Sequence, residues 1–194
     1  MAQPENAAKL DEMLQNTFKH SYDFAVRKVK SPCGIIVYAA SFIGYCDKEY
    51  ISETFLKPML QIDNEENLIS ALCASKLLKI NSSEEAVSAL LGGSAVIFFD
   101  IRETLYVFCA DAKSKNARSI SEPEGEVVIR GPREGFVESA DVNVALLRKR
   151  LKTERLYVES AACGDLSPTN IYIVYIEGIA DKAVINRIKK GWEK

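Results

Sequence analysis

The sequence predicts an α/β (α+β) protein made of two small subdomains, each a short mixed sheet packed with helices. Three observations carry this. Runs of helical period alternate with short β-rich runs along the whole chain. Hydrophobic residues make up 47% of the 194 residues and charged residues 27%, enough apolar material for a core. Residues 111–125 then lose nearly all their apolar side chains and gain lysine, serine and glutamate, with Pro123 and Gly125. That stretch reads as an exposed connector, dividing the chain into 1–125 and 126–194.

The first element is a helix over residues 6–18, from the spacing of Leu10, Met13, Leu14 and Phe18. Alternation over 22–29, a break at Ser31-Pro32 and an apolar run over 34–40 predict a β-hairpin. A helix over 48–60 puts Ile51, Phe55 and Leu56 on one face, and Asp63 and Asn64 can cap another helix reaching residue 75. Ser82-Ser83-Glu84-Glu85 starts a helix that Gly92-Gly93 ends. Two β-rich runs, 95–99 and 104–110, join through a short polar turn as a second hairpin. Beyond the connector come a strand at 127–130, a turn at Gly131-Pro132, a helix over 141–151, strands near 156–162 and 171–177, and a last helix over 181–192. No internal repeat of fixed period is visible. The sequence stops directly after that helix, so the second subdomain is expected to be a truncated piece of a longer protein.

Several function classes are disfavoured. A formal net charge of -2 argues against a general nucleic-acid binder. Five widely spaced cysteines without a CxxC pair, and one histidine, His20, give no zinc site; Cys73 and Cys109 read as small core residues. Reduced thiols fit a reducing compartment. The longest uncharged run, 31–46, is too short and too interrupted to span a membrane. No nucleophile motif, phosphate loop or metal motif is present, so neither a catalytic site nor a cofactor is expected.

The distinctive segment runs from Glu122, Pro123 and Glu124 through Val127-Val128-Ile129 to Arg130-Gly131-Pro132-Arg133-Glu134-Gly135-Phe136. Gly131 and Pro132 make a rigid turn, and Arg130 and Arg133 offer planar forks to carboxylates such as Glu122, Glu124, Glu134 and Glu138. This reads either as a salt-bridged hinge or as a contact surface for another subunit. In the helix that follows, Asn143, Leu147 and Arg150 share a face. The run Arg148-Lys149-Arg150 complements the helix dipole, or forms a basic patch for an acidic partner or anionic head groups.

Arg118 to Ser139, RSISEPEGEVVIRGPREGFVES, resembles the signature stretch of the GerA family of spore germination receptors, A subunit. The segment after it, from Asp141 to Leu151, is similar to the family's next helix. Asp23-Phe24-Ala25-Val26-Arg27, Tyr50-Ile51-Ser52-Glu53 and Leu56-Lys57-Pro58-Met59-Leu60 look like its early strand and first long helix. The resemblance implies the soluble N-terminal domain of an A subunit, on the cytoplasmic side of the spore inner membrane and followed by a membrane-spanning region. It implies assembly with B and C subunits and with other A subunits, and a part in transmitting the germination signal. The rival readings are a stage V sporulation AF-type paralogue, and a small-molecule binding module with a cleft between the subdomains.

Overall fold

The computed structural model describes residues 6–73, 77–113, 135–164 and 167–192. Helix α1 (Ala7–Thr17) starts at Asn6, whose side chain accepts from the Lys9 N–H, and its Leu10 and Leu14 are buried. The Ala7 N–H is held by both carboxylate oxygens of Asp100, each at 2.9 Å. Strands β1 (Phe24–Lys30) and β2 (Ile36–Phe42) form the expected hairpin.

The helix expected over 48–60 is one continuous coil with a π-helical middle: α2 (Lys48–Ile51), a π turn (Ser52–Leu56) and α3 (Lys57–Met59). Pro58 supplies the reason. Its nitrogen cannot donate to the preceding turn and its ring crowds that turn's carbonyl, so the coil widens there. Ile51, Phe55, Leu56 and Met59 are buried regardless.

Helix α4 (Glu65–Cys73) begins where Asn64 accepts from the Asn67 N–H. A three-residue strand that the sequence did not announce follows, β3 (Leu77–Lys79). Then come α5 (Ser83–Leu91), capped by Ser82, and the hairpin β4 (Ala95–Ile101) and β5 (Thr104–Ala110). Its two-residue turn, Arg102-Glu103, is left-handed at both positions, with φ of 48° and 64°.

These five strands form one antiparallel sheet in the order β1-β2-β4-β5-β3. Strand β4 is central, and six of its seven residues are buried. One face, with Val37, Ala39, Ile97 and Phe99, packs on Ile51, Phe55, Met59 and Leu68 from the helices α2 to α4. The other face, with Tyr38, Ala40, Phe42, Val96 and Phe98, packs on α1 and α5. Ala145 belongs to this second cluster although it lies beyond the connector.

Ala145 lies in α6 (Ala140–Arg150), followed by β6 (Leu156–Cys163), β7 (Thr169–Ile176) and α7 (Lys182–Trp192). Strands β6 and β7 pair antiparallel as a second sheet. The architecture is α+β with two sheets. The strand expected at 127–130 and the turn at Gly131-Pro132 lie outside the described residues.

Candidate interaction surface

Helix α6 buries a charged side chain together with its apolar ones. Val144, Ala145 and Leu146 are buried, and so is Arg148, which is only 1% exposed. An arginine so deep must find a counter-charge and hydrogen-bond acceptors. Arg148 finds them in Asp23, just ahead of β1: Nε donates to Oδ2, and Nη2 donates to Oδ1 at 2.7 Å. The guanidinium also lies over the Phe42 ring, 4.0 Å from its centroid, a cation–π contact on β2. The β1–β2 hairpin and a helix far downstream in sequence thus meet at one side chain.

Around this pair the two sheets are seamed together. The Tyr22 N–H donates to the Val158 carbonyl and the Val158 N–H to the His20 carbonyl, both at 2.8 Å. Gly44 faces the N-terminus of α6 so closely that a Cβ there would sit 2.8 Å from the Asp141 carbonyl oxygen. Tyr172 of β7 donates to Asp141 at 3.1 Å and its ring meets Tyr22. Burial and the Asp141 carboxylate push the Tyr172 hydroxyl up to about 12.

At the far side of β6 lies a groove of about 380 Å³, lined by His20, Tyr157, Glu159, Tyr175, Lys182, Asn186 and Lys189 among others. Its charges are paired internally. Burial works against ionising Glu159, but the Lys189 ammonium and the Tyr175 hydroxyl hold its carboxyl below the usual carboxylate range.

Of the contact residues expected from sequence, Arg130, Gly131, Pro132, Arg133 and Glu134 lie outside the described residues, as do Glu122 and Glu124. The remainder surround the start and outer face of α6. Phe136 is 69% exposed, a large apolar ring standing in solvent, with Glu138 exposed beside it in sequence. Asn143 serves the fold: its side chain accepts from the Val137 N–H at 2.8 Å and donates to the Val137 carbonyl at 2.7 Å. It thereby fixes the stretch carrying Gly135, Phe136 and Glu138 against α6. Leu147 is half-buried and Arg150 exposed. Sequence reasoning missed Arg148, because within Arg148-Lys149-Arg150 nothing but the helical phase set by Val144 and Ala145 distinguishes the inward cation.

The chain matches the family described as Bacillus/Clostridium GerA spore germination protein over residues 12–194. It belongs to the GerA family. Similar curated proteins of Bacillus subtilis (strain 168) include Uncharacterized membrane protein YfkQ, 35% identical over 98% of this chain and 36% of that protein. Stage V sporulation protein AF is 32% identical over 95% of this chain and 39% of that protein. Spore germination protein KA is 31% identical over 78% of this chain and 29% of that protein. This GerA-family chain therefore spans well under half the length of these relatives. Its fold is that of the crystallised N-terminal domain of the A subunit of the Bacillus megaterium spore germinant receptor GerK3. The TM-score is 0.73 at 19% identity, covering all of this chain and 73% of that one. Among the described residues no helix is long and apolar enough to cross a membrane.

Proposed function

We propose that this chain is the non-membrane N-terminal module of a germinant receptor A subunit, and that its work is assembly and passage of the germination signal. The family match over residues 12–194 carries the reading. In this view residues 1–125 and 126–194 are two subdomains, and Asp23–Arg148 fastens them so that a force on one moves the other. The contact surface for neighbouring A subunits, or for the B and C subunits, comprises the segment from Arg130 to Phe136, with Glu138, Leu147 and Arg150. Asn143 acts beneath it as a positioning residue. Exposed Phe136 is the apolar anchor such a surface needs. The module sits on the cytoplasmic side of the spore inner membrane and carries no catalytic role.

The test is recovery of the tagged full-length protein from spore membranes. Co-purification of B- and C-type subunits, lost with Phe136→Asp, supports the reading; recovery without them contradicts it. A stage V sporulation AF-type role is favoured by the comparable 32% identity to that protein. It would show as a defect in spore formation, with nutrient response intact.

A further inference from the structure

The chain leaves the first half and enters the second at one place, the turn between β2 and α2. It leaves after Lys113, which makes an antiparallel bridge with Cys46, while the Asp47 N–H donates to the Ala112 carbonyl at 2.7 Å. It enters through residues 135–139, where Asn143 in the first turn of α6 holds Val137 by its N–H and its carbonyl. That end of α6 lies against the same turn. A Cβ on Gly44 would meet the Asp141 carbonyl oxygen at 2.8 Å and the Asp141 Cβ at 3.5 Å. Gly44, Cys46 and Asp47 therefore stand at both the exit and the entry.

The halves also touch directly, through residues well away from the connector in sequence. Ser21 makes a parallel bridge with Val158, and the His20 and Tyr22 backbones bond Val158 on either side of it. The His20 ring lies 4.5 Å from the Tyr157 ring, and the Tyr22 ring 5.7 Å from that of Tyr172. Arg148 of α6 meets Asp23 and the Phe42 ring, and Ala145 packs in one cluster with Tyr38, Phe42 and Phe98. Backbone pairing, ring contacts, an ion pair and a shared apolar cluster thus join the segment before β1 and strand β2 to α6, β6 and β7. None of these contacts involves residues 114–134. Domains joined by a linker alone shift against one another, whereas an apolar interface of their own holds them in place.

We propose that these contacts, and not the covalent connection through residues 114–134, hold the two halves together, so that the chain can be cut between its halves without parting them. Where exit and entry already share one turn, a connecting stretch adds only an effective concentration, on the order of millimolar for a short flexible tether. The contacts between the halves add more. Parting them would uncover Phe42, Ala145 and Val158, which are buried, and would leave Arg148 without its carboxylate. On this proposal the stretch carrying Arg130 and Arg133 is not a hinge, which leaves it to the contact surface. The proposal stands apart from the receptor assignment.

The experiment inserts a specific protease site between Gly125 and Glu126 of the 194-residue chain and cuts it there. The expected result is that at ~10 μM the two pieces elute together at the size of the uncut chain and unfold in one transition, whose midpoint now rises with protein concentration. Tyr22→Ala, at an exposed ring of the seam, leaves the uncut chain folded. In the cut protein it raises the concentration at which the pieces part by roughly 2–12-fold. Pieces that separate on elution overturn the proposal, and so does a cut protein that unfolds in two transitions. A Tyr22→Ala pair that parts at the same concentration as the unaltered pair also overturns it, since the halves would then be held elsewhere.

Discussion

A guanidinium withdrawn from water loses several kcal/mol of hydration, and Arg148 recovers it only because Asp23 is buried beside it. Removing one partner strands the other. Arg148→Met or Asp23→Asn should each cost about 3–5 kcal/mol in urea unfolding. The double replacement Arg148→Met with Asp23→Leu should cost clearly less than the sum, since no buried charge remains. Cys46 offers a second test. Burial pushes its thiol up to about 11, and the Sγ donates to the Gly93 carbonyl at 3.4 Å. The native state therefore keeps a proton that the unfolded chain releases near pH 9. This contribution is complete below that value and is lost as pH rises toward 11. Urea stability measured at pH 8 and pH 10.5 should fall, and Cys46→Ala should flatten that part of the decline. Neither residue's setting was legible beforehand. Arg148 sits in a run of three cations, and Cys46 is one cysteine among five, followed directly by Asp47 and Lys48.

Helix α1 was legible because it buries one face with a helical period, through Leu10 and Leu14, and strands β2 and β4 because they are short apolar runs buried on both faces. The three-residue β3 was not, since it is too short to show a period. Gly44 meets two demands together, a φ of 77° and contact with the Asp141 carbonyl. Gly44→Ala should destabilise by about 1–3 kcal/mol and loosen α6 from the first sheet. Thermal melts with hydrogen exchange at α6 check this. At the Arg102-Glu103 turn the opposite holds, because two ordinary residues occupy left-handed positions. Glu103→Gly should raise stability by up to about 1 kcal/mol.

Across the whole molecule, helix α6 joins the core of the first sheet at Ala145, an ion pair links Asp23 to Arg148, and backbone hydrogen bonds tie His20 and Tyr22 to Val158 of the second sheet. Of the family-like stretch Arg118 to Ser139, residues 118–134 fall outside the described residues. Of the proposed surface, the structure describes the exposed Phe136, next to Val137, which Asn143 holds, and the exposed Arg150. Exposed charges contribute little to stability, so Arg150→Glu should shift unfolding by less than about 1 kcal/mol. The direct measurement is the loss of optical density after nutrient addition, in spores whose full-length gene carries Phe136→Asp together with Arg150→Glu. The isolated double variant is melted alongside. A receptor module predicts near-normal melting with slowed or absent germination; normal germination at normal protein level would contradict it.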